Sequence, residues 1–281
     1  MDKIQKNIGF IGGGQMGTAL IGGFLAADLF DADQIYVMDI LQSKLDNLNA
    51  DYGITNASSN RETGYAYLVD NCDIILLAVK PQSLQEVLAS IRNLKWKKDH
   101  LVVSIVGGAK TSYIEKSLGT TKVVRVIPNT PMLVGAGASS VSRGAYASEE
   151  DAQLVHKMFG ELGVSFIVPE NLIDPITALS GAGPAYVYML IEAMADGGVE
   201  MGIPREIAQT LAAQTVKGAA DMVLKSKEHP GRLKDNVCSP GGCTIAGVRA
   251  LEKGGFRGIV MDAIEAGKLR MEEAGRKAEE E

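Results

Sequence analysis

Phe10-Ile11-Gly12-Gly13-Gly14-Gln15-Met16-Gly17 is the stretch that decides the fold. It follows the apolar run Ile8–Ile11 and opens a helix-like stretch, Gly17–Ala27, so the glycines lie on a strand-to-helix turn. Their spacing fits Gly-x-Gly-x-x-Gly. In that pattern Gly12 makes the tight turn, Gly14 lets the backbone approach a pyrophosphate, and Gly17 lets helix and strand pack closely. The helix N-terminus then receives the phosphate charge. Asp39 ends the second apolar run 22 residues beyond Gly17. An acid there accepts hydrogen bonds from the adenosine ribose. The turn is therefore expected to bind a dinucleotide.

Outward from this turn the same alternation continues. Apolar runs lie at Ile35–Met38, Ile74–Val79, Leu101–Val106 and Val123–Ile127, with weaker ones at Ala138–Ser142 and Val164–Val168. Helix-like stretches at Leu41–Leu48, Leu84–Ile91, Tyr113–Leu118 and Glu149–Glu161 separate them. Runs that are apolar throughout suit strands buried on both faces. Strict alternation predicts an α/β, doubly wound, Rossmann-like parallel sheet over residues 1–168. Three turns, Ala78-Val79-Lys80-Pro81, Val106-Gly107-Gly108 and Pro128-Asn129-Thr130-Pro131, close successive runs. Ligands of such sheets lie beyond the carboxyl ends of the strands, so these turns are expected to converge on the cofactor.

After Val168 the pattern changes. Pro169, Pro175 and Pro184 punctuate a linker, and no strand-like run follows. Residues 169–281 read as all-helical: Tyr186–Val199 puts Val187, Leu190, Ile191, Met194 and Gly198 on one face, and Arg205–Lys227 is rich in alanine. Small residues let helices approach closely. The apolar content is high for a bundle standing alone, which points to burial against a second chain. The end, Leu269–Glu281, reads as charged helix or tail. Within this half, Leu233–Ile245 is the densest signal, with Pro240-Gly241-Gly242 flanked by the hydroxyl and thiol residues Ser239, Cys243 and Thr244. Its amides suit a backbone nest for a carboxylate, and they suit equally a plain helix N-cap. Cys243 reads as a small packed thiol rather than a nucleophile.

Composition narrows the function. The 281 residues are 46% hydrophobic and 22% charged, and their length favours two domains over one core. A net charge of −6 without basic clusters excludes nucleic acid as the expected partner and favours small molecules or further copies of the chain. Cys72, Cys238, Cys243 and the three histidines show no zinc spacing, so no metal is expected. No apolar run reaches the ~18 residues of a membrane span. Lys3 and Lys6 before an apolar stretch imitate a secretory signal, but Gly12 to Gly17 are better explained by the turn, and the chain is expected to be cytoplasmic.

Taken together, the residues resemble the pyrroline-5-carboxylate reductase family from Ile8 to about Arg270. The resemblance rests on Phe10 to Gly17, Ala78 to Gln82, Pro128 to Pro131, Leu179-Ser180-Gly181-Ala182-Gly183-Pro184-Ala185-Tyr186 and Asp196-Gly197-Gly198. Its most specific part is Val237 to Thr244 with Leu251-Glu252 and Gly254-Gly255-Phe256-Arg257. It implies a dinucleotide-binding domain followed by an all-helical domain that intertwines into a homodimer, with larger homo-oligomers built from dimers. It also implies that the cofactor comes from the partner chain's first domain. Ile11, Gly12, Gly13, Gly14, Gln15, Met16, Gly17, Asn60, Ala78, Val79, Lys80, Pro81, Val106, Gly107, Gly108 and Asn236 are implied to contact the cofactor, beside Asp39. Ser239, Gly241, Gly242, Cys243 and Thr244 are implied to hold the substrate, with Thr244 bonding the ring nitrogen of a cyclic imine that receives hydride. The stretch from Asn60 to Asp73 is longer than usual for the family.

Two rivals are weighed: a 2-hydroxyacid dehydrogenase of the same plan, for which Lys217 is the tempting catalytic lysine, and a non-catalytic nucleotide-binding relative. NADH and NADPH are both candidate cofactors. Asp39 favours NADH, because a carboxylate about 4 Å from a 2′-phosphate is repelled by roughly 1 kcal/mol in water and about 4 at an effective dielectric of 20. Lys44, one helical turn on, offsets this only in part.

Overall fold

The computed structural model describes residues 3–280. Contacts divide the chain into a first unit that ends at Gly181 and takes in the chain from Gly267 onward, and a second unit, Ala182–Ala266.

The first unit is an eight-stranded sheet covered by helices. In chain order it comprises β1 (Ile8–Ile11), α1 (Gln15–Ala26), β2 (Ile35–Met38), α2 (Gln42–Tyr52), β3 (Asn56–Ser58), α3 (Arg61–Asn71) and β4 (Ile74–Leu77). Then come α4 (Pro81–Ile91), β5 (Leu101–Ser104), α5 (Thr111–Leu118), β6 (Lys122–Ile127), β7 (Gly137–Arg143), α6 (Glu149–Gly160), β8 (Gly163–Ile167) and α7 (Ile173–Ile176). Strand order is β3-β2-β1-β4-β5-β6-β7-β8. The order reverses between β1 and β4, the switch point at which such sheets bind ligands.

The doubly wound plan holds, with two corrections. β7 runs antiparallel to β6, since only a short turn, Thr130–Val134, joins them and no crossover helix intervenes. The strict alternation also omitted β3 and α3. β3 is three half-buried residues, Asn56–Ser58, and carries no apolar run. α3 does carry a helical stripe, in which Tyr65, Leu68 and Val69 are buried, with Cys72 buried just beyond its end.

Both faces of the sheet are packed. Ile8 and Phe10 join Leu20, Phe24 and Phe159 on one face, while Ile11 joins Leu68, Leu84 and Ile114 on the other. Phe24 contacts the rings of Phe10, Phe30 and Phe159 at centroid distances of 6.4, 5.7 and 5.9 Å.

The first unit extends past the sequence boundary at residue 168 for an electrostatic reason. Arg125, in the middle of β6, is only 2% exposed and its guanidinium reaches Glu170 at 3.4 Å and Asp174 at 3.1 Å. Glu170 also accepts from the backbone amide and hydroxyl of Thr111, both at 2.8 Å. A buried guanidinium must be paired, so the linker is drawn onto the sheet. Asn129 adds a second tie, donating to the Ser180 carbonyl at 2.9 Å.

The second unit is all-helical: α8 (Gly183–Glu200), α9 (Arg205–Ser226), α10 (Pro230–Asn236), α11 (Cys243–Lys253) and the first part of α12 (Phe256–Glu280). α12 absorbs the expected charged tail through Glu280; Glu281 lies outside the described residues. A side chain at Gly198 would meet the Ala208 Cβ at 3.2 Å, so small residues set the approach of α8 to α9. The buried core here is only Ala195, Ala208 and Ala212. Tyr188, Met189, Leu211, Leu224, Ile259 and Met261 are exposed.

Candidate functional site

The geometry of the glycine turn shows why glycine is required at two of its positions and where the turn is open. Gly12 has φ +111°, and a side chain there would start 2.5 Å from the Ala78 carbonyl oxygen. At Gly17 the same carbon would lie 2.3 Å from the Gly12 carbonyl oxygen. At Gly14 it would meet nothing within 4 Å, so this side of the turn is open. Gly14 is also the N-cap of α1, with no side chain capping it. The first-turn amides at Gln15, Met16 and Gly17 therefore remain free for an anion, and the cradle fits a pyrophosphate.

The ends of four neighbouring strands lie side by side, but of the three turns expected to converge only Ala78-Val79-Lys80 lines the cavity between them. The Gly12 amide donates to the Met38 carbonyl at 2.8 Å, the Ala78 amide to Ile11 at 2.9 Å, and the Ile105 amide to Leu77 at 3.1 Å. These bonds hold the ends of β2, β1, β4 and β5 side by side. Ile11, Gly12, Gly14, Asp39, Ala78, Val79 and Lys80 line a cavity of about 240 Å³ there. Gly13, Gln15 and Met16 adjoin it through the turn, and Pro81 is the first residue of α4. Val106, Gly107 and Gly108 follow the next strand along. Gly108 has φ +78°, and a side chain at either glycine would meet no atom closer than 4.0 Å.

Asp39 is 5% exposed, not a solvent-facing cap. Oδ2 accepts from the Gly13 amide at 2.8 Å and from Lys44 Nζ at 3.1 Å, and Oδ1 from the Leu41 amide at 2.9 Å. It thus fixes the glycine turn and keeps one acceptor direction of Oδ1 for a ligand. Asn60, implied as a cofactor contact, is exposed at the start of α3. Its side chain accepts from the Thr63 amide at 3.1 Å and caps α3, and it is not part of the cavity wall.

Residues of the missed α3 and its neighbours complete the wall. Arg61, Tyr65, Ser83 and Glu86 line the cavity, and Arg61 is ion-paired with Glu86. Burial pushes the Tyr65 phenol up; Arg61 counters this, while Glu86 and Asp39 add to it. Tyr65 therefore lies within the field of all three charges. The stripe Tyr65, Leu68, Val69, Cys72 was the sequence signal for this helix. Cys72 itself is inert, its thiol pushed up to about 12 chiefly by burial.

In the second unit, Ser239 to Gly242 form a type II turn. The Gly242 amide donates to the Ser239 carbonyl at 3.0 Å, and Gly241 at the third position has φ +68°. A side chain at Gly242 would start 2.3 Å from Ser239 Oγ. Gly242 is the N-cap of α11 without a side-chain cap, so the plain N-cap and the free-amide readings coincide at one place. Thr244 follows in the first turn, half-buried, and its hydroxyl makes no hydrogen bond among the described residues. Cys243 is exposed rather than packed, as is Asn236 at the end of α10. Lys217, the tempting lysine of the rival reading, is 69% exposed and paired at 3.2 Å with Asp221 on its own helix.

The family model for pyrroline-5-carboxylate reductase dimerisation matches residues 170–274, and that for coenzyme F420-dependent NADP oxidoreductases matches residues 7–108. The chain is 42% identical over 266 residues to the pyrroline-5-carboxylate reductase of Pisum sativum, with 95% of each covered. Its fold matches the solved structure of a pyrroline-5-carboxylate reductase from Coxiella burnetii with a TM-score of 0.87, at 33% identity and covering 96% of this chain and 99% of that one. It also matches the Plasmodium falciparum pyrroline carboxylate reductase with NADP bound: TM-score 0.85, 35% identity, 98% and 100% covered.

Proposed function

The chain belongs to the pyrroline-5-carboxylate reductase family, and on that premise we propose how its residues divide the reduction of 1-pyrroline-5-carboxylate to L-proline. The enzyme is an NAD(P)H-dependent oxidoreductase acting on a C=N bond in proline synthesis, and it assembles as a dimer or larger. When bound, the reduced nicotinamide supplies hydride to the imine carbon.

The open glycine cradle is the observation that carries this reading. Residues 1–168 would hold the cofactor: Gly12 to Gly17 the pyrophosphate, Asp39 the adenosine ribose, Ala78 to Pro81 and Val106 to Gly108 the remainder toward the nicotinamide. Residues 169–281 would hold the substrate and pair the chains. The uncapped amides after Gly242 suit its carboxylate, and the free Thr244 hydroxyl suits its ring nitrogen. Asn236 is proposed as a further cofactor contact, and a second copy completes the pocket around Thr244. The protein's work is then positioning and exclusion of water, since a protonated imine is already electrophilic.

NADH is the proposed preferred cofactor. Asp39 is buried at the proposed ribose end, and of the cations that line the cavity Lys44 and Arg61 are already paired with carboxylates. Assemblies of dimers and a cytoplasmic setting complete the proposal; the free cysteines suit a reducing compartment. No helix among the described residues is long and apolar enough to cross a membrane.

The test is loss of reduced-nicotinamide absorbance with pyrroline-5-carboxylate and each cofactor, with proline identified as product. Turnover with NADH about tenfold better than with NADPH in kcat/KM is expected. Turnover that favours NADPH removes the role given to Asp39, and no turnover with either removes the reductase reading.

A further inference from the structure

The cavity beyond the glycine turn has a charge arrangement in which the role of Glu86 is still unassigned. Five charged side chains line it, four of them as two ion pairs, Lys44 with Asp39 and Arg61 with Glu86, while the fifth, Lys80, is exposed. The two pairs differ in burial. Asp39 is 5% exposed and anchored by three hydrogen bonds, so Lys44 is held by a fixed partner. Arg61 and Glu86 are 49% and 62% exposed. An exposed pair of this kind contributes little, and its partners exchange readily for a stronger one.

We propose that Glu86 is a cofactor-selectivity residue that acts through Arg61: by holding the guanidinium it keeps this cation of the cavity from a 2′-phosphate. The inference rests on the dinucleotide reading and deepens it. Arg61 begins α3, which follows β3, and β3 lies beside the strand that ends in Asp39. Tyr65, one turn into α3, lies within the field of Arg61, Glu86 and Asp39 together, so the pair and the ribose-facing acid share one place. A phosphate monoester carries up to two charges where Glu86 carries one, and a planar guanidinium binds it in bidentate fashion. Glu86 thus competes with a 2′-phosphate for Arg61. A plain 2′-hydroxyl faces no such competition.

The test uses the full-length enzyme without nicotinamide, titrated calorimetrically with 5′-AMP and with adenosine 2′,5′-bisphosphate. The quantity read is the ratio of the two dissociation constants. Glu86→Gln is expected to shift that ratio about three- to tenfold toward the bisphosphate, with the shift shrinking at high salt. Arg61→Gln alone should weaken only the bisphosphate, and adding it to Glu86→Gln should abolish the shift. The NADPH to NADH ratio of kcat/KM should move in the same direction. A ratio that stays within about twofold in Glu86→Gln overturns the proposal. So does a shift that survives removal of Arg61, since Glu86 would then act by repulsion alone. Binding of neither probe by the wild type is a different failure: it overturns the dinucleotide reading, and the proposal with it.

Discussion

The two units place their large apolar side chains in opposite ways. In the first, Phe10, Phe24 and Phe159 are fully buried between sheet and helices. In the second, Leu224 and Met261 stand 70% and 69% exposed, and the buried core is three alanines. Burial contributes about 25 cal/mol per Å² of apolar surface, so the first unit carries its own stabilisation while the second leaves most of its share outside the chain. On the proposed division, a self-contained cofactor half is joined to a half that a second copy completes.

The hardest way to break this contrast is to charge the exposed helical face. Met189→Glu with Leu211→Glu would bury carboxylates between chains, at several kcal/mol, or about 100-fold or more in association. Light scattering should then show monomer where the wild type is a dimer or larger, and turnover should fall in parallel. A double variant that stays dimeric and active contradicts the assignment of this face.

Next comes the substrate loop. Thr244→Val keeps the shape and removes the hydroxyl. A hydrogen bond to a charged group is worth roughly 1.5–3 kcal/mol, so kcat/KM should fall about 10- to 150-fold with little change in cofactor binding. Retention of more than about half the wild-type value rules out that role.

The same contrast explains what was legible in the sequence. The sheet was readable because strands buried on both faces must be apolar along their length, as in Ile74 to Leu77 and Leu101 to Val103. Asn56–Ser58 is an edge strand, half-buried and nearly polar, so it left no such run. α3 carries only a buried stripe, with no apolar run before it, so the alternation does not point to Arg61 and Tyr65, while Glu86 lies within the expected helix Leu84–Ile91. The glycine spacing located the cradle, but no spacing shows that Asp39 would bond the Gly13 amide or that Asn60 would cap a helix. Nor does hydrophobicity reveal direction: the run at Ala138–Ser142 looked like any other, and only the short Thr130–Val134 connection makes β7 antiparallel.

A smaller effect separates fold from function inside the first unit. Gly17→Ala forces a carbon against the Gly12 carbonyl at 2.3 Å and should cost about 1–3 kcal/mol, a few degrees in Tm. Gly14→Ala meets no atom within 4 Å, so Tm should hold while dinucleotide binding weakens about tenfold. Equal stability losses in the two variants would refute the open cradle.

The most direct measurement of the central claim is NADH binding, by calorimetry, to the dissociated Met189→Glu, Leu211→Glu enzyme. The account predicts a monomer that cannot turn over substrate yet binds NADH within about fivefold of wild type, the margin being one hydrogen bond at Asn236 of about 1 kcal/mol. A well-folded monomer that no longer binds NADH would contradict it, because the first unit would then not hold the cofactor by itself.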